Sequence, residues 1–336
     1  MSQSNMNARI EWLDVAKGFG AFFVVLGHTL STGSSMRGLI FSFHMPLFFI
    51  LSGYTFKQKD WRENLRSSFK RLVVPYILLF LVWNVPHYLM SAQEVTLNNV
   101  IHLVLCAFFA SGTTVPGVNV DAVGMSWFLM ALFISRILFN AAMGLSSKTK
   151  HPDISLFFFC AVSFVVGKWL GGDLKIYLPL SLDVSLVSLI FIWGGYFVKL
   201  HQFNYSSHAF LSGPISLLIL LLASSYSDFE MAARLYSPAF VSVVAAFAGT
   251  YFICWISDMI KKLKDYPILN YLYRGIKYCG INSMSIYCFH ALDWWIPWTA
   301  LPVIMSLPLS HLFSSFSTFL YSVMYCKLIE KIQTSK

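Results

Sequence analysis

Charge is what this chain lacks. Of its 336 residues only 12% are Asp, Glu, Lys or Arg, about half the share of a soluble domain, which excludes an ordinary water-facing globular surface. No polar block of domain size interrupts the sequence, and there is no repeat or low-complexity tract, so residues 1–336 read as one integral membrane domain. Glycine-rich phosphate loops are missing: neither G-x-x-x-x-G-K-[ST] nor G-x-G-x-x-G occurs. Also absent are H-E-x-x-H and G-x-S-x-G, the marks of helical zinc proteases and of α/β-hydrolases. The six cysteines (Cys106, Cys160, Cys254, Cys279, Cys288, Cys326) form no C-x-x-C and no metal-ligand spacing. They read as buried free thiols, and no metal is expected. The N-terminus has no basic stretch leading straight into an apolar core and no small-x-small site after His28, so the first helix is expected to stay.

What the chain has is apolar length. It is 57% hydrophobic and 17% aromatic, and runs of about 20 apolar residues, enough to cross a bilayer core as helix, recur throughout. Spanning helices are expected at 12–32, 39–56, 72–90, 124–144, 153–170, 177–198, 209–226, 238–256, 280–298 and 305–326. The apolar stretch 99–110 is too short to span and reads as re-entrant or interfacial. Basic residues test this count, because cytoplasmic segments collect Lys and Arg. With the N-terminus inside, Arg9, the run from Lys57 to Arg71, Lys148, Lys150, Lys199 and the cluster from Lys261 to Lys277 are all cytoplasmic. Arg37, Lys168, Lys175 and Arg234 fall outside. The expected fold is therefore all-α, a polytopic bundle of about ten transmembrane helices with both termini cytoplasmic. It leaves a long external loop, 91–123, holding Glu94 and Asp121 but no Lys or Arg.

Ionisable groups at membrane depth are costly and mark candidate sites. The stretch KGFGAFFVVLGH, residues 17–28, places an ammonium and an imidazole eleven positions apart. On a helix that is about 16 Å of rise and about 20° beyond three full turns, so Lys17 and His28 share one stripe near opposite faces of the bilayer. Arg136 also falls in the inner half, where it is either a site residue or the ion-pair partner of a carboxylate such as Asp14. His44 and His290 lie at the depth of His28, and Asp293 follows His290 by three positions on the same helical face. Asp183 is a further intramembrane carboxylate. Trp294, Trp295 and Trp298 read as an interfacial belt.

Lys17-x10-His28 resembles the Arg/Lys-x10-His signature of the acyltransferase-3 family of membrane O-acyltransferases. EWLDVAKG before it resembles the opening of the branch related to fucose 4-O-acetylases. FHMPLFFILSGYTF (43–56), SFKRLVVPY (68–76), SWFLMALF (126–133, with Trp127) and NSMSIYCFH (282–290) are similar to later family blocks. This chain has Lys17 where most relatives have Arg, which keeps the charge but not the planar fork.

The resemblance implies acyl transfer, from cytoplasmic acetyl-CoA to a sugar hydroxyl of a surface polysaccharide or its lipid-linked precursor, in the inner membrane of a bacterium. Acetyl-CoA is then a donor substrate, with no bound cofactor. The expected partners are acyl-CoA, a glycan or lipid-linked saccharide and membrane lipid, with no nucleic acid. His28 is the expected general base, since a neutral imidazole accepts a hydroxyl proton near neutral pH; a covalent acyl-imidazole that carries the acetyl group before transfer is the alternative. His44 is expected to orient it, stabilise the oxyanion or relay the proton. Lys17, Arg136, Lys70 and Arg71 suit the donor's phosphates, and Asp14, Trp127, His290 and Asp293 are secondary candidates. The alternative is a secondary transporter or flippase for a lipid-linked sugar, which would also need polar groups at the midplane. Transporters commonly show two related halves with broken helices, and no such internal symmetry is found here.

Overall fold

A computed structural model gives the fold and describes residues 10–91, 96–201, 209–262, 265–290, 319, 320, 322–324, 326 and 327. In chain order the helices are α1 (Glu11–Thr29), α2 (Ser35–Phe41), α3 (His44–Tyr54), α4 (Trp61–Met90), α5 (Leu97–Phe109), α6 (Trp127–Ser146), α7 (Pro152–Gly167), α8 (Leu182–Leu200) and α9 (Ala209–Ser225). A short antiparallel hairpin follows, β1 (Asp228–Glu230) with β2 (Leu235–Ser237), and then α10 (Ala239–Lys262), α11 (Pro267–Ile281) and α12 (Ser283–Phe289).

The all-α, multi-pass expectation holds. Six described segments are long and apolar enough to cross a membrane: Ser35–Tyr54, Trp61–Met90, Gly124–Ser146, Pro152–Asp173, Pro179–Leu200 and Ala239–Lys262. Leu97–Phe109 and Phe210–Ser225 are shorter apolar helices. α1 carries Glu11, Asp14 and Lys17 in its first two turns and is not among the six. Residues 291–298 of the expected ninth helix, with Asp293, Trp294, Trp295 and Trp298, lie outside the described residues, as does most of 305–326.

Two elements differ from the sequence reading. Residues 267–277, taken as a cytoplasmic loop, begin a helix, α11. It buries Tyr273 and Cys279 while Tyr271 and Leu272 stay exposed. With one apolar face only, it shows no continuous apolar run. The external stretch 91–123 is also not a plain loop. α5 fills its centre, started by a capping box in which Thr96 and Asn99 serve each other's backbone N–H. The chain beyond α5 is pinned back to it, with His102 Nδ1 donating to Asn119 O at 3.0 Å and Nε2 3.1 Å from Asp121 Oδ2.

The chain forms two compact units. The first contains Met1–Phe48, Asn204–Tyr226 and Val243–Lys336, and the second Phe49–Phe203 and Ser227–Ser242. Within the first, α1 and α11 touch backbone to backbone. A Cβ on Gly280 would overlap Asp14 O, and one on Gly18 would overlap Ile276 O. Where lipid removes the hydrophobic drive between helices, such small-residue crossings hold them by van der Waals contact. Lys277 Nζ reaches Glu11 Oε1 at 2.8 Å and ties the same two helices.

The second unit repeats the device where α3 crosses α8: Gly53 meets Ile192 O, and Gly195 meets Ile50 O. Serines add polar contacts between α6 and α8, with Ser135 Oγ 2.6 Å from Ser188 Oγ and Ser185 Oγ donating to Ala131 O at 3.1 Å. The opposite faces are apolar and exposed, as on α4 (Leu78, Leu81, Val82) and α7 (Phe158, Val162, Val165). Those faces suit lipid.

Candidate functional site

Three of the sequence-selected histidines converge in the first unit. His28 stands in the last turn of α1. Gly27 beside it lets α2 approach, because a Cβ there would press on Phe41 and Ile40 at 3.0 and 3.1 Å. α2 starts at the Ser34 cap, whose hydroxyl accepts from Arg37 N at 3.2 Å, and a short turn at Ser42 and Phe43 leads into α3 at His44. The Phe41 ring packs edge-on against two imidazoles, 5.8 Å from His28 and 4.7 Å from His44. The Arg37 guanidinium sits over its face at 3.8 Å, a cation–π contact. On the other side of His28 is His290, with ring centroids 5.6 Å apart and planes tilted by 33°.

The hydrogen bonds assign two tautomers. His44 Nδ1 lies 2.9 Å from Ile40 O, and His290 Nδ1 lies 2.6 Å from Tyr287 O. A carbonyl only accepts, so each Nδ1 carries the proton, and in the neutral ring Nε2 holds the lone pair. Both rings are buried, at 2% and 1% exposure, whereas His28 is exposed. Of the three rings, His28's is the exposed one.

Lys17 is not in this cluster. It lies eleven residues back on α1, half-buried, one turn after the buried Asp14. Asp293 lies outside the described residues.

The remaining candidates belong to the second unit. Arg136, on α6, donates from Nη1 to Ser52 Oγ at 2.7 Å and packs over the Phe56 ring at 5.1 Å. Within the second unit, no carboxylate among the described residues pairs with it. Arg71 lies near enough for the two positive charges to repel. Lys70 and Arg71 are exposed on a π-helical turn, Phe69–Val73. Such an inserted residue re-aims side chains that an α-helix would space regularly. Lys199 joins this group, donating to Phe56 O at 2.5 Å and feeling the charge of Lys57. The sequence reading used Lys199 only for topology; its place at the end of an apolar span was the available signal. Trp127 is buried against Gly112, where a Cβ would contact its ring. It wedges the start of α6 against that loop.

A second buried polar centre was only half foreseen. Asp183, in the first turn of α8, accepts from Arg234 Nε at 2.9 Å, with both side chains at 0% exposure. Arg234 Nη1 also donates to Ser111 Oγ at 2.9 Å and Ala232 O at 2.8 Å, and Tyr177 stacks 4.0 Å from the guanidinium carbon. This is a structural fastener, since both charged groups are sealed from solvent.

No group of three or more His, Cys, Asp or Glu side chains suited to a metal occurs among the described residues. What these residues define is a polytopic helical membrane protein with an accessible imidazole beside two buried ones in one unit, and a cluster of unpaired cations in the other. The chain belongs to the acyltransferase-3 family, whose model, described as an acyltransferase domain, matches residues 10–327. No curated protein and no solved structure matches it significantly. Family membership makes it a membrane acyltransferase.

Proposed function

We propose that the protein is an O-acetyltransferase of the bacterial inner membrane, moving acetyl from cytoplasmic acetyl-CoA to a sugar hydroxyl of a surface polysaccharide or its lipid-linked precursor. The observation that carries this reading is His28, the exposed imidazole of the histidine cluster, in a chain of acyltransferase family. His28 takes the proton of the acceptor hydroxyl as the oxygen attacks the thioester carbonyl; the C–S bond breaks, and the proton passes to the leaving CoA thiolate. A positioned base of this kind is worth about 10²–10⁴ in rate. His44, with its proton held on Nδ1, offers a lone pair. In the neutral ring that suits orienting or relaying rather than donating to an oxyanion. CoA is a polyanion, and Lys17 in the first unit and Arg136, Arg71 and Lys70 in the second are the candidate cations for its phosphates, with Lys199 and Lys57 as further candidates.

The test is donor dependence. Inside-out vesicles containing the protein, given radiolabelled acetyl-CoA, should transfer label to a glycan fraction; vesicles without it should not. Absence of label from every acceptor fraction would remove this function.

Two further outcomes are expected. Lys17→Ala should weaken acetyl-CoA binding by tenfold or more, since losing one charge-assisted contact to a phosphate costs about 1.5–3 kcal/mol. Lys17→Arg should restore most of it. Isothermal titration on purified protein checks both, and unchanged affinity in Lys17→Ala would make Lys17 a structural residue. The cytoplasmic placement of Lys148 and Lys262 predicts that cysteines there resist an impermeant thiol reagent in intact cells, whereas one at Asp121 reacts. Labelling at Lys262 from outside would overturn that topology.

A further inference from the structure

His290 carries an unexplained feature. Its ring is 1% exposed, its Nδ1–H is committed to Tyr287 O at 2.6 Å, and its buried Nε2 has no hydrogen-bond partner among the described residues. A buried acceptor left empty costs about 1–3 kcal/mol, and such groups call for an explanation. The lone pair needs an N–H or O–H donor, and the neighbouring ring is His28, at 5.6 Å between centroids. Two imidazoles joined by an N–H···N bond of about 3 Å have centroids about 5 Å apart. The centroid spacing of the existing pair is within a sub-ångström shift of that value.

We propose that His290 is the positioning residue for His28: Nε2 of His290 accepts the N–H of one His28 nitrogen, leaving the other as the base that meets the acceptor hydroxyl. A catalytic imidazole works in one tautomer only, and an acceptor on its far nitrogen fixes that tautomer and the ring's direction. Elsewhere a carboxylate holds this place. Here a neutral imidazole does so, itself fixed by a main-chain carbonyl, so that the chain runs from Tyr287 O through His290 and His28 to substrate. His44 is less suited, because His290 Nε2 is the one buried ring nitrogen left without a partner among the described residues. The proton balance is simple. His28 becomes imidazolium when it takes the hydroxyl proton, the hydrogen bond to His290 strengthens with that charge, and the proton then leaves to the CoA thiolate.

This inference rests on the proposed role of His28, and its test separates the two. Full-length wild type, His290→Leu and His290→Gln are compared in inside-out vesicles, by transfer of radiolabelled acetyl-CoA and by the rate at which diethyl pyrocarbonate modifies His28, followed by peptide mass spectrometry. The second readout needs no turnover and reports the nucleophilicity of the exposed imidazole. His290→Leu, which removes the acceptor, should lower kcat at least 100-fold with the KM for acetyl-CoA unchanged, and should slow His28 modification several-fold. His290→Gln retains an acceptor oxygen and should recover a substantial part of both. If His290→Leu keeps wild-type transfer or wild-type His28 modification, the dyad is wrong. If no variant, wild type included, transfers label while His28 modification still follows His290 as described, the dyad stands and the acetyl-transfer reading fails.

Discussion

His28→Gln is expected to insert at normal levels, to bind acetyl-CoA with wild-type affinity, and to transfer no measurable acyl group. The residue is exposed at the end of α1, with the Phe41 and His290 rings on its inner side, so neither Gln nor Ala there opens a closed cavity that would unfold the helix. Gln keeps a hydrogen-bonding group but cannot take a proton near neutral pH, so the loss falls on the chemical step. General-base catalysis contributes about 10²–10⁴, and a change confined to that step lowers kcat and kcat/KM together. Vesicle assays with radiolabelled acetyl-CoA, beside titration of the purified variant, separate the two quantities. Activity in His28→Gln within tenfold of wild type would reduce His28 to a substrate-positioning group. Loss of binding together with transfer would show that the substitution had damaged the donor site instead.

The sequence exposed these residues for a physical reason. A histidine or lysine inside an apolar run is expensive, and that expense makes it visible without any structure. The same logic picked out Asp183. It could not supply Arg234 as the partner, because the two lie 51 residues apart and the hairpin whose turn carries Arg234 has strands of only three residues, too short to show alternation. α11 was missed because its amphipathic face gives no run of twenty apolar residues. Its role is legible only through contact, in Gly18 and Gly280, which read as ordinary small residues until α1 and α11 are seen backbone to backbone. The histidine tautomers were equally out of reach, since they depend on the carbonyls of Ile40 and Tyr287. So the sequence disclosed which side chains carry chemistry, and the fold disclosed which of their atoms are free to perform it.

Asp183→Asn should be the most damaging single change in the second unit, although neither Asp183 nor Arg234 has a place in the chemistry. The pair is fully buried, and it joins three stretches of chain. Asp183 Oδ1 accepts from Leu178 N at 3.2 Å, while Arg234 reaches Ser111 and Ala232. Gly171 lies against the carboxylate, because a Cβ there would come within 2.6 Å of Asp183 Oδ2. Neutralising the carboxylate leaves a buried guanidinium without counter-charge, a situation that costs about 3–5 kcal/mol. At roughly 2–4 °C per kcal/mol for a large domain, the detergent-solubilised protein should lose about 6–20 °C in Tm. Asp183→Asn combined with Arg234→Gln removes both charges, so it should unfold at a higher temperature than Asp183→Asn alone. Two substitutions then do less harm than one, which simple loss of contacts does not produce and an uncompensated buried charge does. Thermal unfolding followed by tryptophan fluorescence on the three proteins decides the matter. A wild-type Tm in Asp183→Asn, or a double variant less stable than the single one, would show that the ion pair is not what fastens these loops.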